Sequence, residues 1–273
     1  MNITQAFERC IYSRGPLPMA PHFHENVELI YVKSGCARLN VGSSEYDLAQ
    51  GRLALISETS THSLLPAGDD YQRFYLLFSA EALRQATGDT ALRVMLQRVL
   101  QSGQGLYELP PGDREQVEAG FGTILQERAR QDSFSMDMAI TSLKQILIRL
   151  CRASASAVSA PIPFSPEVAA VKASIEAHLD QDVRIAELAA ENYISPCYLS
   201  HRFKEQVGVS PKSYLLLCRM KRARELLSCT ELPIAQVAFR CGFNDVNNFI
   251  RNFKSDSGET PKRYRMRCRS ELG

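Results

Sequence analysis

The sequence predicts a two-domain α+β protein with a β-rich N-terminal half and an all-α C-terminal half. The 273 residues are enough for about two domains. Hydrophobic residues alternate as in strands before Ser79 and recur with a helical period after it. Between the halves lies the Ser/Ala/Pro-rich run 154–165, typical of an exposed connector. We therefore expect a first domain at 1–153, a linker at 154–165 and a second domain at 166–273.

The N-terminal half contains short β-type runs separated by Gly/Ser turns such as Ser34-Gly35 and Gln50-Gly51. The expected strands are Glu28–Lys33, Cys36–Val41, Glu45–Leu48, Arg52–Ile56 and Arg73–Phe78. Short strands at this spacing predict a small barrel.

A helical pattern follows the strands. It contains five apolar residues whose spacing alternates between four and three residues. These are Met136, Ile140, Leu143, Leu147 and Leu150. The spacing resembles a coiled-coil seam, so we predict a dimerisation helix; the alternative is a helix packed on its own barrel.

Composition excludes several classes of protein. With 45% hydrophobic and 23% charged residues, the chain is neither disordered nor collagen-like. No apolar run of about 18 residues predicts a membrane span. We expect a cytoplasmic protein. The eight cysteines form no C-x-x-C pair, so we expect buried free thiols.

Positive charge is concentrated near the C-terminus. Residues 201–273 hold 15 basic and 7 acidic side chains. This excess suits a phosphate backbone, although it is also compatible with an ordinary basic surface.

The C-terminal half contains one module twice. Ile185–Tyr214 aligns with Ile234–Tyr264, first at a separation of 49 residues and then, from Phe203 and Phe253 onward, at a separation of 50. One residue has therefore been added between the two helices of the second copy.

Each copy predicts a helix, a short turn and a second helix that ends at glycine. In the first copy the helix Ile185–Glu191 leads to the N-cap Ser195, and the second helix stops at Gly208. In the second copy we expect Asn244 as the N-cap. A helix of about 19 residues, Pro211–Cys229, joins the copies. This pattern is typical of the helix-turn-helix, whose second helix enters the DNA major groove; the alternative is an all-α interaction bundle.

Helical geometry predicts which side chains would face DNA. Leu199 and Phe203 in one copy, and Phe249 and Phe253 in the other, should face the core. The opposite faces and their flanks then carry Cys197, Tyr198, Ser200, His201 and Lys204, and Asn247, Asn248, Ile250, Arg251 and Lys254. Arginine suits guanine, asparagine suits adenine, and the two lysines suit phosphates.

The motifs that carry these predictions resemble the AraC/XylS family of bacterial transcription regulators. They are RMKRARELL (219–227), IAQVAFRCGFND (234–245), FIRNFK (249–254) and GETPKRYR (258–265). The resemblance implies a cupin-like N-terminal barrel with a helical dimerisation region, and two helix-turn-helix units. It further implies a homodimer on double-stranded promoter DNA, associated with the nucleoid when bound, and activation through contact with RNA polymerase. Asn247-Asn248 departs from the family pattern, which alters the DNA sequence read.

The N-terminal half resembles the cupin pattern H-x-H-x3-E-x6-G in PHFHENVELIYVKSG (21–35). Its residues His22, His24 and Glu28 would be joined by His62. Three roles compete: hydrogen bonding inside the barrel, binding of an organic effector, and coordination of a metal such as Zn, Ni, Mn or Fe. We expect effector binding ahead of metal binding, and no cofactor.

The sequence therefore predicts a sequence-specific DNA-binding transcription regulator, an activator, controlled by a small-molecule effector and not an enzyme. The family resemblance favours a sugar or related carbon source as the effector. The alternatives are a metal-dependent cupin enzyme fused to a DNA-binding domain and an architectural DNA-binding protein without a ligand.

Overall fold

The computed structural model describes residues 2–15, 18–42, 44–58, 60–88, 91–101, 106–153, 162–181 and 183–270. The contacts divide the chain into two units, Met1–Pro163 and Phe164–Gly273. The two-domain α+β class is thereby confirmed. Most of the expected linker 154–165 lies outside the described residues. At its end, Phe164 is buried in the core of the second unit.

The first unit contains eight strands and five helices among the described residues. They are α1 (Ile3–Ala6), β1 (Phe7–Arg14), β2 (Met19–His22), β3 (Val27–Val41), β4 (Ser44–Ala49), β5 (Arg52–Ile56), β6 (His62–Phe78), α2 (Ala80–Thr87), α3 (Ala91–Gln101), β7 (Leu106–Glu108), α4 (Pro111–Arg130), α5 (Ser135–Ala153) and β8 (Ile162–Pro163).

The strands form one antiparallel sheet in the order β1-β6-β3-β4-β8, with β2 paired to β6 and β5 paired to β3 and β7. The long strands β3 and β6 pair from Val27 opposite Phe78 to Val41 opposite His62. Two of the expected strands therefore run together as β3, and the expected turn at Ser34-Gly35 is wrong. The ladder bulges there instead. Gly35 has φ +72° and an added Cβ would lie 2.9 Å from the Tyr71 Cα, so only glycine fits this irregularity.

The two faces of the sheet belong to different cores. Ile30, Val32 and Leu77 belong to one cluster, on what we call the inner face. Their strand neighbours Leu29 and Leu76 belong to the other cluster, which includes side chains of α4 and α5. Alternation along each strand thus separates an inner face from a helix-covered outer face.

The predicted dimerisation seam on α5 is wrong as an intermolecular surface. Leu143, Leu147 and Leu150 have no exposed area in the single chain, and Met136 and Ile140 pack against the same core. Since the seam already covers the outer face of its own sheet, its apolar period is explained by packing within the domain.

The described residues of the second unit form helices joined by turns and loops, and no strand. Its helices are α6 (Pro166–Ala177), α7 (Ile185–Glu191), α8 (Pro196–Val207), α9 (Pro211–Cys229), α10 (Ile234–Arg240), α11 (Val246–Ser257) and α12 (Pro261–Ser270). The bounds of α10 follow those of α7 by 49 residues, whereas those of α11 follow α8 by 50. The predicted repeat and its one added residue are confirmed, as is the 19-residue joining helix α9.

The helix starts show why these segments become helices. The Ser195 Oγ accepts a hydrogen bond from the Tyr198 N–H at 3.2 Å, as predicted for an N-cap. In the second copy the predicted cap Asn244 is wrong by one residue. The carboxylate of Asp245 accepts from the N–H groups of Asn247 and Asn248. A carboxylate can accept both bonds at once, which favours Asp245 over its neighbour.

All eight cysteines are free, as predicted. The expectation that they are buried is wrong for Cys36, Cys197 and Cys229, whose side chains are exposed. No helix among the described residues is long and apolar enough to span a membrane.

Candidate effector cavity and nucleic-acid interface

The four residues of the predicted effector site come together at one end of the sheet. Strand β2 supplies His22, the β2–β3 connection His24, β3 Glu28, and β6 His62. The Glu28 Oε2 lies 2.7 Å from the His24 Nε2 and 2.9 Å from the His62 Nε2. The rings of His22 and His62 lie 4.3 Å apart, centroid to centroid.

Each histidine also meets a backbone carbonyl through its Nδ1. The acceptors are the carbonyls of Ala20, Asn26 and Ser60, at 2.8 to 2.9 Å. Because a carbonyl only accepts, Nδ1 carries the proton in all three rings. In His24 and His62 the Nε2 faces a carboxylate and is a donor as well.

Burial and charge set the protonation of this cluster. Burial by itself raises the pKa of Glu28, but the positive charge of His62 and the hydrogen bonds from His24 and His62 outweigh it and lower the pKa to about 2. Burial lowers the pKa of His62, but the Glu28 carboxylate more than compensates and raises it. Burial and the nearby charge of His62 lower the pKa of His22. The result is a closed ion pair between Glu28 and His62.

The same four side chains could hold a metal ion, since their ligand atoms lie within 4.8 Å of one another. Imidazole and carboxylate suit divalent transition metals. However, a metal at the Nε2 atoms of His24 and His62 would have to displace the protons that these atoms donate to Glu28. The internal hydrogen bonds therefore occupy the Nε2 atoms of His24 and His62 and the Glu28 Oε2, whereas the Glu28 Oε1 is buried without a hydrogen-bond partner.

A cavity of about 330 Å³ opens beside the cluster, between β1, β2 and β6. Of the four predicted residues only His22 lines it. Arg9, Ser13, Arg73 and Tyr75, which also line it, were missed by the sequence reasoning. A signal was available: alternation along β6 places Arg73 on the same face as Tyr75 and Leu77, where a charged residue is unexpected.

The recognition faces predicted for α8 and α11 lie where the helical geometry required. Leu199, Phe203, Phe249 and Phe253 are completely buried. Eight of the ten predicted DNA-facing residues are exposed, and the two flank residues, Ser200 and Ile250, are half-buried. The exposed ones are Cys197, Tyr198, His201, Lys204, Asn247, Asn248, Arg251 and Lys254.

One of these exposed residues already has a side-chain partner. The Asn252 Nδ2 donates to the Asn248 Oδ1 at 2.9 Å and to the Asn248 carbonyl at 2.8 Å. The Asn248 amide nitrogen remains available as a donor toward a base edge.

The second helix-turn-helix is held to the loop after α6 by Arg219. Its Nε donates to the Leu179 carbonyl at 3.0 Å and its Nη2 to the Gln181 carbonyl at 2.7 Å. The guanidinium also lies 5.6 Å from the centre of the Phe243 ring. Gly242 is pressed against this junction, since an added Cβ would lie 2.2 Å from the Leu179 oxygen.

Two family descriptions match the chain. The AraC-like ligand binding domain matches residues 8–134, and a helix-turn-helix domain matches residues 188–267. The first therefore contains the histidine cluster and the cavity, and the second contains α8 and α11.

The chain is also similar to several known proteins. The arabinose operon regulatory protein of Escherichia coli is 35% identical over 153 residues, which cover 56% of this chain and 52% of that protein. The chain thus spans about half the length of this relative. The HTH-type transcriptional activator RhaR of Pectobacterium atrosepticum is 26% identical over 94% of this chain and 90% of its own length. Among solved structures, the C-terminal domain of AraT, a response regulator from Geobacillus stearothermophilus, is 36% identical over 38% of this chain and 86% of that chain, with a TM-score of 0.37.

The two matched domains stand in the order that the motifs predicted, and together they contain both candidate sites. The chain belongs to the AraC/XylS family of transcription regulators.

Proposed function

We propose that this protein is a sequence-specific DNA-binding transcription regulator, an activator, whose DNA binding responds to a small-molecule effector. The observation that carries the proposal is the pair of capped recognition helices α8 and α11. They repeat 50 residues apart, with buried aromatic or leucine anchors and exposed polar faces. The excess of basic side chains in residues 201–273 supports an encounter with phosphates.

In this proposal α11 supplies most of the base recognition. Arg251 contacts guanine, Asn247 and Asn248 contact adenine, and Ile250 contacts a thymine methyl group. Helix α8 contributes Cys197, Tyr198, Ser200 and His201 through mixed contacts, while Lys204 and Lys254 bind phosphates. Two helices separated by a rigid α9 would read successive major-groove segments about one DNA turn, roughly 34 Å, apart.

The effector site of this proposal is the cavity between β1, β2 and β6, which we call the inner-face cavity because Tyr75 of the inner-face cluster lines it, with His22 in contact with the ligand. His24, Glu28 and His62 form the hydrogen-bonded wall behind it. The effector belongs to the class of sugars and related carbon sources, as the family resemblance implies. A ligand alters DNA binding only if its affinity differs between two states of the chain. We further propose a homodimer that contacts RNA polymerase.

The relatives named above are regulators, and they give the enzyme alternative no support. No described feature favours the architectural alternative either, since the matched ligand-binding domain contains a cavity.

The test is selection of DNA from a random library by the full chain, followed by footprinting of the selected sequence. We expect two protected segments about 10 base pairs apart, centre to centre. Enrichment of no sequence, or protection of a single segment, would contradict the proposal. Repeating the footprint with the selected DNA and candidate effectors would measure the response.

A further inference from the structure

We propose that the inner-face cavity binds a small molecule that carries a carboxylate group, and that Arg73 receives this carboxylate. The inference rests on the proposed function, because it names the chemical class of the effector for the same cavity. It follows from three observations: two polar groups without partners, the charge of the lining, and the size of the cavity.

The first observation is a buried guanidinium without a counter-ion. Arg73 is only 6% exposed, and its Nε and Nη1 lack a hydrogen-bond partner. Among the described residues, no carboxylate forms an ion pair with it. The guanidinium lies 5.7 Å from the centre of the Tyr71 ring and also interacts with the Tyr71 hydroxyl, but this neutral phenol supplies no counter-charge and the Nε and Nη1 donors stay without a partner. Burying a charge of this kind lowers the stability of the fold unless an opposite charge pairs with it.

A second orphaned group stands directly opposite. Ser13 on β1 is the cross-strand partner of Arg73 on β6, and its Oγ is also buried without a hydrogen-bond partner. Both residues line the cavity. Buried polar groups nearly always find partners, and two neighbouring donors without an acceptor indicate an acceptor supplied by a ligand. The planar fork of arginine matches the two oxygens of a carboxylate.

The lining has positive charge without a compensating acid. Arg9 and Arg73 are both in it, and no described lining residue is Asp or Glu. The nearby Glu28 has its Oε2 bound to His24 and His62. A neutral polyol would leave the Arg73 charge uncompensated, whereas a carboxylate neutralises it. This argument separates an acid from a neutral sugar as the ligand.

Size limits the rest of the ligand. A volume of about 330 Å³ is at the lower end of small-molecule pockets. The remaining lining includes the apolar side chains Ile11 and Met19 and the ring of Tyr75. The cavity therefore fits a compact body of one ring or a few carbons behind the carboxylate.

The experiment is a thermal melt of the full chain with matched acid and neutral probes. The pairs are D-galacturonate with D-galactose and benzoate with benzamide, and inorganic phosphate tests for a different oxyanion. The wild type is compared with Arg73→Met, which removes the charge at similar volume. Arg38→Met is the matched control, because Arg38 is on β3 of the same sheet but is half exposed and paired with Glu45.

We expect at least one carboxylate to raise the Tm of the wild type by about 2 °C or more above the effect of its neutral partner. The shift should disappear in Arg73→Met and persist in Arg38→Met. Without ligand, Arg73→Met should raise the Tm, since it removes a buried unpaired charge. This last readout does not depend on the choice of probe.

Four results would overturn the proposal: equal shifts from the neutral partners, a shift with phosphate alone, no shift from either carboxylate, or a carboxylate shift that survives in Arg73→Met. A lower Tm of ligand-free Arg73→Met would also overturn it. Selection of DNA by the wild type is scored separately. A chain that selects DNA but fails these melts loses only the carboxylate inference, whereas a chain that binds carboxylate but selects no DNA loses only the regulator proposal.

Discussion

Tyr193 and Gly242 occupy the same position in the two helix-turn-helix turns, 49 residues apart, and both have left-handed backbone conformations. Their φ angles are +57° and +76°. Tyr193 is 97% exposed, so its ring gains nothing from burial. The same turn is therefore strained in the first helix-turn-helix and relaxed in the second.

The two positions should respond in opposite ways to substitution. Gly242→Ala should destabilise the second unit by about 2 kcal/mol or more, because the new Cβ would meet the Leu179 carbonyl at 2.2 Å in a left-handed backbone. Tyr193→Gly should stabilise the first helix-turn-helix by up to about 1 kcal/mol by relieving the left-handed strain. Urea unfolding of both full-length variants measures these changes. Loss of stability in both variants would contradict the strain assigned to Tyr193.

For DNA recognition, Arg251→Ala should weaken specific binding by about 1 to 3 kcal/mol and relax the preference at one base pair. Lys254→Ala is the matched variant, one turn along the same exposed face. It should weaken binding to all sequences equally and lower the slope of log affinity against log salt by about 1. Fluorescence anisotropy with single-base operator variants distinguishes the two. If Arg251→Ala weakened every sequence alike, Arg251 would be a phosphate contact.

Cys197 provides a chemical footprint of α8. Its thiol is exposed on the predicted DNA-facing side, while Cys36 and Cys229 are exposed elsewhere and act as internal controls. Selected operator DNA should slow maleimide labelling of Cys197 and leave the other two rates unchanged, as read by mass spectrometry of the labelled peptides. Equal protection of all three thiols, or of none, would count against the assigned face.

The ion pair between Glu28 and His62 should make stability depend on pH in two directions. The pKa of Glu28 is lowered from 4.5 to about 2, so its contribution is present above pH 4.5 and is lost as the pH falls toward 2. The pKa of His62 is raised from 6.5, so its contribution is present below pH 6.5 and is lost as the pH rises through the raised value. The pair therefore contributes most between these limits.

The measurement is the Tm of the wild type and of Glu28→Gln from pH 3 to pH 9. Near pH 6 the variant should lose about 3 kcal/mol, because the buried His62 and the half-buried His24 lose their carboxylate partner. The difference between the two proteins should shrink at both ends of the range. A difference that stays constant with pH would contradict the ion pair.

The same hydrogen bonds predict that the protein is stable without a metal. Since His24 and His62 donate from both ring nitrogens, EDTA should leave the Tm unchanged and added Zn²⁺ should not raise it at pH 6. Elemental analysis of protein grown with added Zn, Ni, Mn and Fe provides a second reading. Stoichiometric metal that His24→Ala removes would establish coordination instead.

Much of the second unit could be predicted because its determinants are local. The four-residue spacing of Leu199 and Phe203, the Ser195 cap and the glycine stop at Gly208 each act within one helix. Even there the predicted N-cap of α11, Asn244, precedes the observed one, Asp245, by one residue. Both residue types are good N-caps, and only the hydrogen-bond geometry decides between them.

The first unit depended more on contacts between distant residues. A glycine such as Gly35 marks either a turn or a bulge, and only the pairing of β3 with β6 decides which. The apolar period of α5 fits a partner helix or its own sheet equally well. The cupin-like spacing predicted that the four residues of the histidine cluster lie together. The sequence could not predict that Arg9, Ser13 and Arg73 lie beside His22, because only the register of β1, β2 and β6 brings them there.

The repeat has kept large apolar residues at its packing positions and a lysine at one exposed position, while its other exposed residues have diverged. Leu199 and Phe203 correspond to Phe249 and Phe253, and Lys204 to Lys254, whereas Cys197, Tyr198 and His201 correspond to Asn247, Asn248 and Arg251. Under the proposed function, each copy can acquire new base preferences without loss of its fold, and one half of an operator can change while the other is still recognised. Such a duplication allows a promoter and its regulator to change together in small steps. It also allows the exposed residues of α8 or of α11 to be replaced separately in order to engineer new DNA specificities.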